Sequence, residues 1–82
     1  MTDRHNLVGK LFMFDERLIL PQHDCDEQNG IRLHAVEKGE PFVVAKRFVA
    51  SRGHKCVSIF TLSMKTLRMT VRLFREHGVE IT

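Results

Sequence analysis

Apolar and polar residues alternate with a period of two through the middle of this chain. Ile31, Leu33 and Ala35 alternate with Arg32 and His34; Phe42, Val44 and Phe48 with Val43, Ala45, Arg47 and Val49; Cys56, Ser58, Phe60 and Leu62 with Val57, Ile59 and Thr61. Extended backbone sends successive side chains to opposite faces, so this period predicts three strands. The segments between them carry turn chemistry: Glu37-Lys38-Gly39-Glu40 followed by Pro41, and Ser51-Arg52-Gly53-His54, each supplying a glycine where φ turns positive. The expectation is a meander of three antiparallel strands. Lys46 falls against the apolar phase of its own strand, which marks a strand end or a bend. Upstream, Leu7 to Phe14 reads as another strand with Gly9 as a bulge or point of close approach, and Leu18 to Leu20 as a short continuation ended by Pro21. A polar loop follows, His23 to Asn29, closed by the turn dipeptide Asn29-Gly30.

The C-terminal third supports two readings. As a helix over 63–77, Ser63 is the N-cap, Met64, Leu67, Val71 and Phe74 form an apolar stripe, and Gly78 is the C′ residue. As a strand, Leu67, Met69, Val71 and Leu73 alternate with Arg68, Thr70 and Arg72. Thr66, Thr70 and Val71 favour extended backbone, so the strand reading is preferred, with a hairpin turn at Ser63-Met64-Lys65, one helical turn at Phe74 to His77 and a last strand at Val79 to Ile81.

The predicted fold is therefore mostly β: a small barrel of SH3-like layout, or a five- to six-stranded antiparallel sheet, with one short helical turn. The alternative is α+β, a β-meander plus a C-terminal helix at 63–77. The SH3-like layout is a likeness of element order, and a shared layout carries no function. No repeat, linker or low-complexity tract interrupts the sequence, so residues 1–82 are expected to form one domain, with Met1 to Asn6 flexible.

Composition narrows the function classes. With 82 residues the chain builds one small core, near the size where a core alone stabilises marginally and a homodimer adds burial. A hydrophobic content of 43% and a net charge of +3 describe a folding chain rather than a disordered one. The first residues lack the apolar core of a secretory signal, and the longest apolar run, Leu11 to Phe14, is too short to span a bilayer. These features predict a cytoplasmic protein without membrane partners, with Cys25 and Cys56 as thiols.

Candidate chemistry is sparse. His23-Asp24-Cys25 and His54-Lys55-Cys56 repeat one ligand spacing, and His23, Cys25, His54 and Cys56 together make a Cys₂His₂ set for zinc. The 28 residues between Cys25 and His54 match no common zinc spacing, so the set is a secondary expectation and no metal or other cofactor is predicted. Asp24, Asp26 and Glu27 lack the glycine and distal glutamate of a calcium loop. No serine sits in a glycine-rich elbow, neither cysteine lies at an identifiable electropositive helix N-terminus, and Gly9-Lys10 lacks the preceding glycine of a phosphate loop. A non-enzymatic role is expected.

Charge is the strongest functional signal. Met1 to Glu40 holds five Lys and Arg against eight Asp and Glu, a net of −3; Pro41 to Thr82 holds eight against two, a net of +6. Such asymmetry predicts a basic face that attracts nucleic-acid phosphates or an acidic protein surface. The expected binding residues are Arg52, Lys55, Lys65, Arg68, Arg72 and Arg75. The chain has no Trp or Tyr, and its six Phe fall in strand phase where core packing is expected, so stacking on bases or on proline-rich peptides is disfavoured. The competing expectation is a protein-binding module or inhibitor, in the manner of small phage and mobile-element proteins, working through apolar residues such as Leu18, Ile19, Leu20, Met64 and Met69 with Arg68 and Arg72 as anchors.

Overall fold

The structure is a computed structural model that describes residues 7–22 and 30–81. The expectation that Met1 to Asn6 is flexible falls outside these residues. Seven strands, β1 (Leu11–Phe14), β2 (Leu18–Pro21), β3 (Leu33–Val36), β4 (Phe42–Val49), β5 (Lys55–Thr61), β6 (Thr66–Thr70) and β7 (Gly78–Glu80), accompany one helix, α1 (Val71–His77). Five strands form an antiparallel sheet in the order β6-β5-β4-β1-β7, and β2 and β3 pair as a second sheet. A lone bridge between Gln22 and Leu67 links the two. The fold is thus mostly β, as the periodicity predicts, but the strands close no barrel.

The meander lies one strand later than the turn signals imply. β4, β5 and β6 are consecutive antiparallel neighbours, while β3 pairs with β2 rather than β4. The register Leu18↔Val36 and Leu20↔His34 turns Leu20 and Val36 into the core, and so reverses the phase expected of β3. Ile31 and Leu33 face outward and are exposed, whereas His34 is half-buried with a ring nitrogen 3.1 Å from Gln22 Oε1. Alternation along β3 alone could not assign its faces, because both phases carry apolar or aromatic atoms.

Lys46 marks a bend, as its phase predicts. The β4–β5 register shifts between Val44 and Lys46, so Phe42 and Val44 face the core while Lys46 pairs with Ser58 on the opposite face. This extra residue reverses the inside–outside phase within one strand.

Both C-terminal readings meet in the chain that forms. β6 follows the strand phase through Thr70, with Leu67 and Met69 buried, and the helix then starts at Val71, three residues earlier than the single turn expected. Thr70 is extended and its Oγ1 accepts the Leu73 amide at 3.1 Å, capping α1. Val71 and Phe74, spaced by three, bury one stripe of α1. Gly78 is not a left-handed cap: its φ is −79°, and a Cβ there would lie 2.7 Å from the Phe74 carbonyl oxygen. The small residue lets β7 begin directly where α1 ends.

The core is built around phenylalanines. Phe12 and Phe14 on β1 meet Phe74 at 4.8 Å and Phe42 at 4.5 Å between ring centroids. Val36, Val44, Val57, Ile59 and Leu67 are fully buried around them. Phe60 departs from the expected core role and is 38% exposed, because it shares a face with Ser58 and Val43 rather than with Ile59. No helix of the described residues is long and apolar enough to cross a membrane.

A polar clasp holds the end of α1 to the β1–β2 turn. His77 Nδ1 lies 2.9 Å from Asp15 Oδ1, His77 Nε2 lies 3.6 Å from Glu16 Oε2, and the Asp15 amide donates to the His77 carbonyl at 2.9 Å. The hydrogen bond to Asp15 is the largest influence on His77 and raises its pKa above the ordinary 6.5; burial opposes it next, and the charges of Glu16, Asp15 and Glu76 add to the rise. A raised folded-state pKa means that the folded chain holds the proton more tightly than the unfolded one. The stabilisation is therefore complete below pH 6.5 and fades as pH rises through the folded-state value. His77→Gln is expected to lower the urea midpoint at pH 5.5 and to leave it nearly unchanged at pH 9; equal losses at both pH values would refute a charged clasp.

Candidate functional site

The β5–β6 ladder decides which basic residues share a surface. Its register runs from Phe60↔Thr66 to Cys56↔Thr70. Thr70 therefore delivers α1 to the start of β5, next to the 3₁₀ turn Ser51–Gly53. That turn is closed by Gly53 N–H to the Ala50 carbonyl at 3.1 Å and Ala50 N–H to the His54 carbonyl at 2.8 Å. Between the turn and α1 lies an open cleft of about 790 Å³. Lys55, Arg72 and Arg75 line it together with His54, Thr70 and Glu76.

Arg72 and Arg75 stand three apart on the solvent side of α1, with Val71 and Phe74 buried beneath them. Lys55 opens β5 from the facing wall. Arg52 sits one residue outside the cleft at its lip, exposed and held at φ 68°. None of these four cations is ion-paired with another described residue. Among the described residues Glu76 is the single carboxylate on the wall, so three cations there face one anion.

Lys65 and Arg68 lie elsewhere. Lys65 belongs to the β5–β6 turn, where its carbonyl accepts the Thr61 amide at 3.0 Å. A ladder of five residue pairs, or about 15 Å of strand at ~3.4 Å per residue, separates that turn from the cleft. Arg68 pairs with Ser58 in mid-sheet and borders a second cavity of about 470 Å³ with Leu20, Phe48, Met69 and Leu73. Arg68 and Arg72 share one face if a single strand, or a single helix over 63–77, carries both. The helix that begins at Val71 separates them.

Of the zinc set, His23 and Cys25 fall outside the described residues, as do Asp24, Asp26 and Glu27. His54 is exposed on the cleft, whereas Cys56 is buried with Sγ 3.6 Å from the His54 carbonyl oxygen. Among the described residues no group of three or more His, Cys, Asp or Glu side chains gathers as for a metal ion.

Sequence reasoning did not reach Thr70 or Glu76. Thr70 sits in strand phase, and its capping role appears only once the chain turns there; Glu76 is legible only as one of two carboxylates in a basic half. No family model, curated protein or solved structure matches this chain.

The cap sets where Arg72 and Arg75 stand, because it fixes the first turn of the helix that carries them. Thr70→Ala is expected to cost about 1 kcal/mol of stability, measured by urea denaturation, whereas Thr70→Ser retains it.

Proposed function

We propose that this chain is a non-enzymatic binding protein that holds the phosphate backbone of a nucleic acid in the cleft between the Ser51–Gly53 turn and α1. One observation carries the reading: three cations from two separate elements, none of them ion-paired with another described residue, converge on one concave surface. Guanidinium groups suit this role, since a planar fork of donors matches the oxygens of a phosphate. Lys55 adds a point charge from the opposite wall, and Arg52 at the lip extends the track by one contact.

Among the described residues that line the cleft there is no Phe, Trp or Tyr, and the exposed Phe60 stands at the far end of β5. Base stacking there has only the His54 ring and the guanidinium planes to use. Recognition through phosphates alone is weakly selective for sequence and depends strongly on salt.

Fluorescence anisotropy with labelled single strands and duplexes, over a series of salt concentrations, tests this. With three phosphate contacts the log–log slope should be about −2 on single strands and about −3 on duplex DNA, with micromolar affinity or weaker. Arg72→Ala and Arg75→Ala should each weaken binding of any sequence and reduce the slope by about one. Lys65→Ala should change neither. Absence of binding at low salt, or equal losses from Lys65 and Arg72, would sink the reading.

A further inference from the structure

The face of the five-stranded sheet turned away from the core carries two consecutive cross-strand rows without a charged side chain. In one row Leu11, Val43 and Phe60 lie opposite each other on β1, β4 and β5. Ile81 extends this row, its amide donating to the Leu11 carbonyl at 3.0 Å. In the other, Met13 faces Val79 across β1 and β7, and the row continues past Pro41 to Leu62. Met64, at the tip of the β5–β6 turn, adjoins it, and a shallow depression of about 220 Å³ marks the middle of the patch.

Six of these side chains are between 38% and 76% exposed. Together they present roughly 600 Å² of surface, at the top of the range that the largest apolar patch of a monomer covers. The next row in the other direction changes character, with Lys46 and Arg68 flanking the buried Ser58.

We infer that this face binds a second copy of the chain, packed sheet on sheet as a two-layer sandwich. Two such faces packed together bury about 1,200 Å² in total, the lower end of a standard stable interface. A charge-free apolar patch also carries nothing that repels a second copy of itself. Consider a two-fold axis in the plane between the sheets, crossing the strands midway between the two apolar rows. It lays the Leu11 row of each copy on the Met13 row of the other, and brings Leu62 over the second copy's Phe60.

The same axis sends the two Lys46–Arg68 rows to opposite rims. They end about 20 Å apart, counting ~3.4 Å per residue along the strands, which exceeds the screening length of about 8 Å at physiological salt. A sandwich of this kind leaves both basic clefts open, since Arg72 and Arg75 stand at the other end of β5. It does not depend on what those clefts bind.

Sedimentation equilibrium from low micromolar to millimolar protein provides the test. The wild-type chain should pass from 9.5 kDa to twice that mass, and the transition should persist in 0.5 M salt, as an apolar interface requires. Leu62→Glu should raise the dimer dissociation constant at least a hundredfold while leaving the thermal unfolding of the monomer unchanged. Met64→Lys, at the most exposed position of the patch, gives a second reading that no core rearrangement can imitate. Arg72→Ala should dimerise like the wild type. A wild-type monomer at millimolar concentration, or a dimer that both patch variants preserve, would overturn the inference; in the second case the open edge of β7 would be the surface to examine.

Discussion

The edge-on contact between Phe12 and Phe74 fixes the middle of helix α1 against the strand at the centre of the phenylalanine core. Phe12 belongs to the strand paired with both β4 and β7, and Phe74 belongs to the only α-helix among the described residues. Their rings meet at 4.8 Å with planes at 70°, the geometry in which a positive ring edge meets a negative ring face. Helix α1 spans only seven residues and would not persist alone. It exists because this contact, the Thr70 cap and the His77 clasp hold its middle and both its ends. The positions of Arg72 and Arg75 follow from that anchoring.

The bulge in β4 has a comparable reach. Without the extra residue at Ala45, the phase that buries Phe42 and Val44 would carry Lys46 into the core, where an unpaired ammonium is costly. With it, Lys46 moves to the outer face beside Ser58 and Arg68, and its ammonium lies 5.9 Å from the Phe48 ring. The outer face is thereby divided along the strands into a charge-free part around Leu11, Val43 and Phe60 and a basic part around Lys46 and Arg68. One local irregularity separates the surface suited to apolar packing from the surface suited to ionic contact.

Helix and sheet also divide the basic half of the sequence. A continuous strand through residue 73 would have aligned Arg68 with Arg72 on one face of the sheet. The turn into α1 instead gathers Arg72 and Arg75 with Lys55, which lies distant in sequence but adjacent in space because Cys56 pairs with Thr70. Long-range pairing concentrates charge that local spacing only suggests.

Local chemistry by itself determined the strand class, most strand positions, the bend at Lys46, the hairpin at Ser63 to Lys65 and the basic character of the second half. Each depends on residues adjacent in the chain: period-two alternation, glycines at positive φ, a cation in an apolar phase. Tertiary structure decided the rest. Which phase of β3 and β5 faces inward was open, because both phases carry apolar residues and only the register with β2, β4 and β6 selects one. That β3 pairs with β2 rather than β4 depends on which partner buries Leu20 and Val36. The start of α1 at Val71 required a core site for Phe74, since propensity across Thr70 and Val71 favours extended backbone. The membership of the cleft, with Lys55, Arg72 and Arg75 inside and Lys65 and Arg68 elsewhere, is a consequence of strand register, which no local pattern encodes.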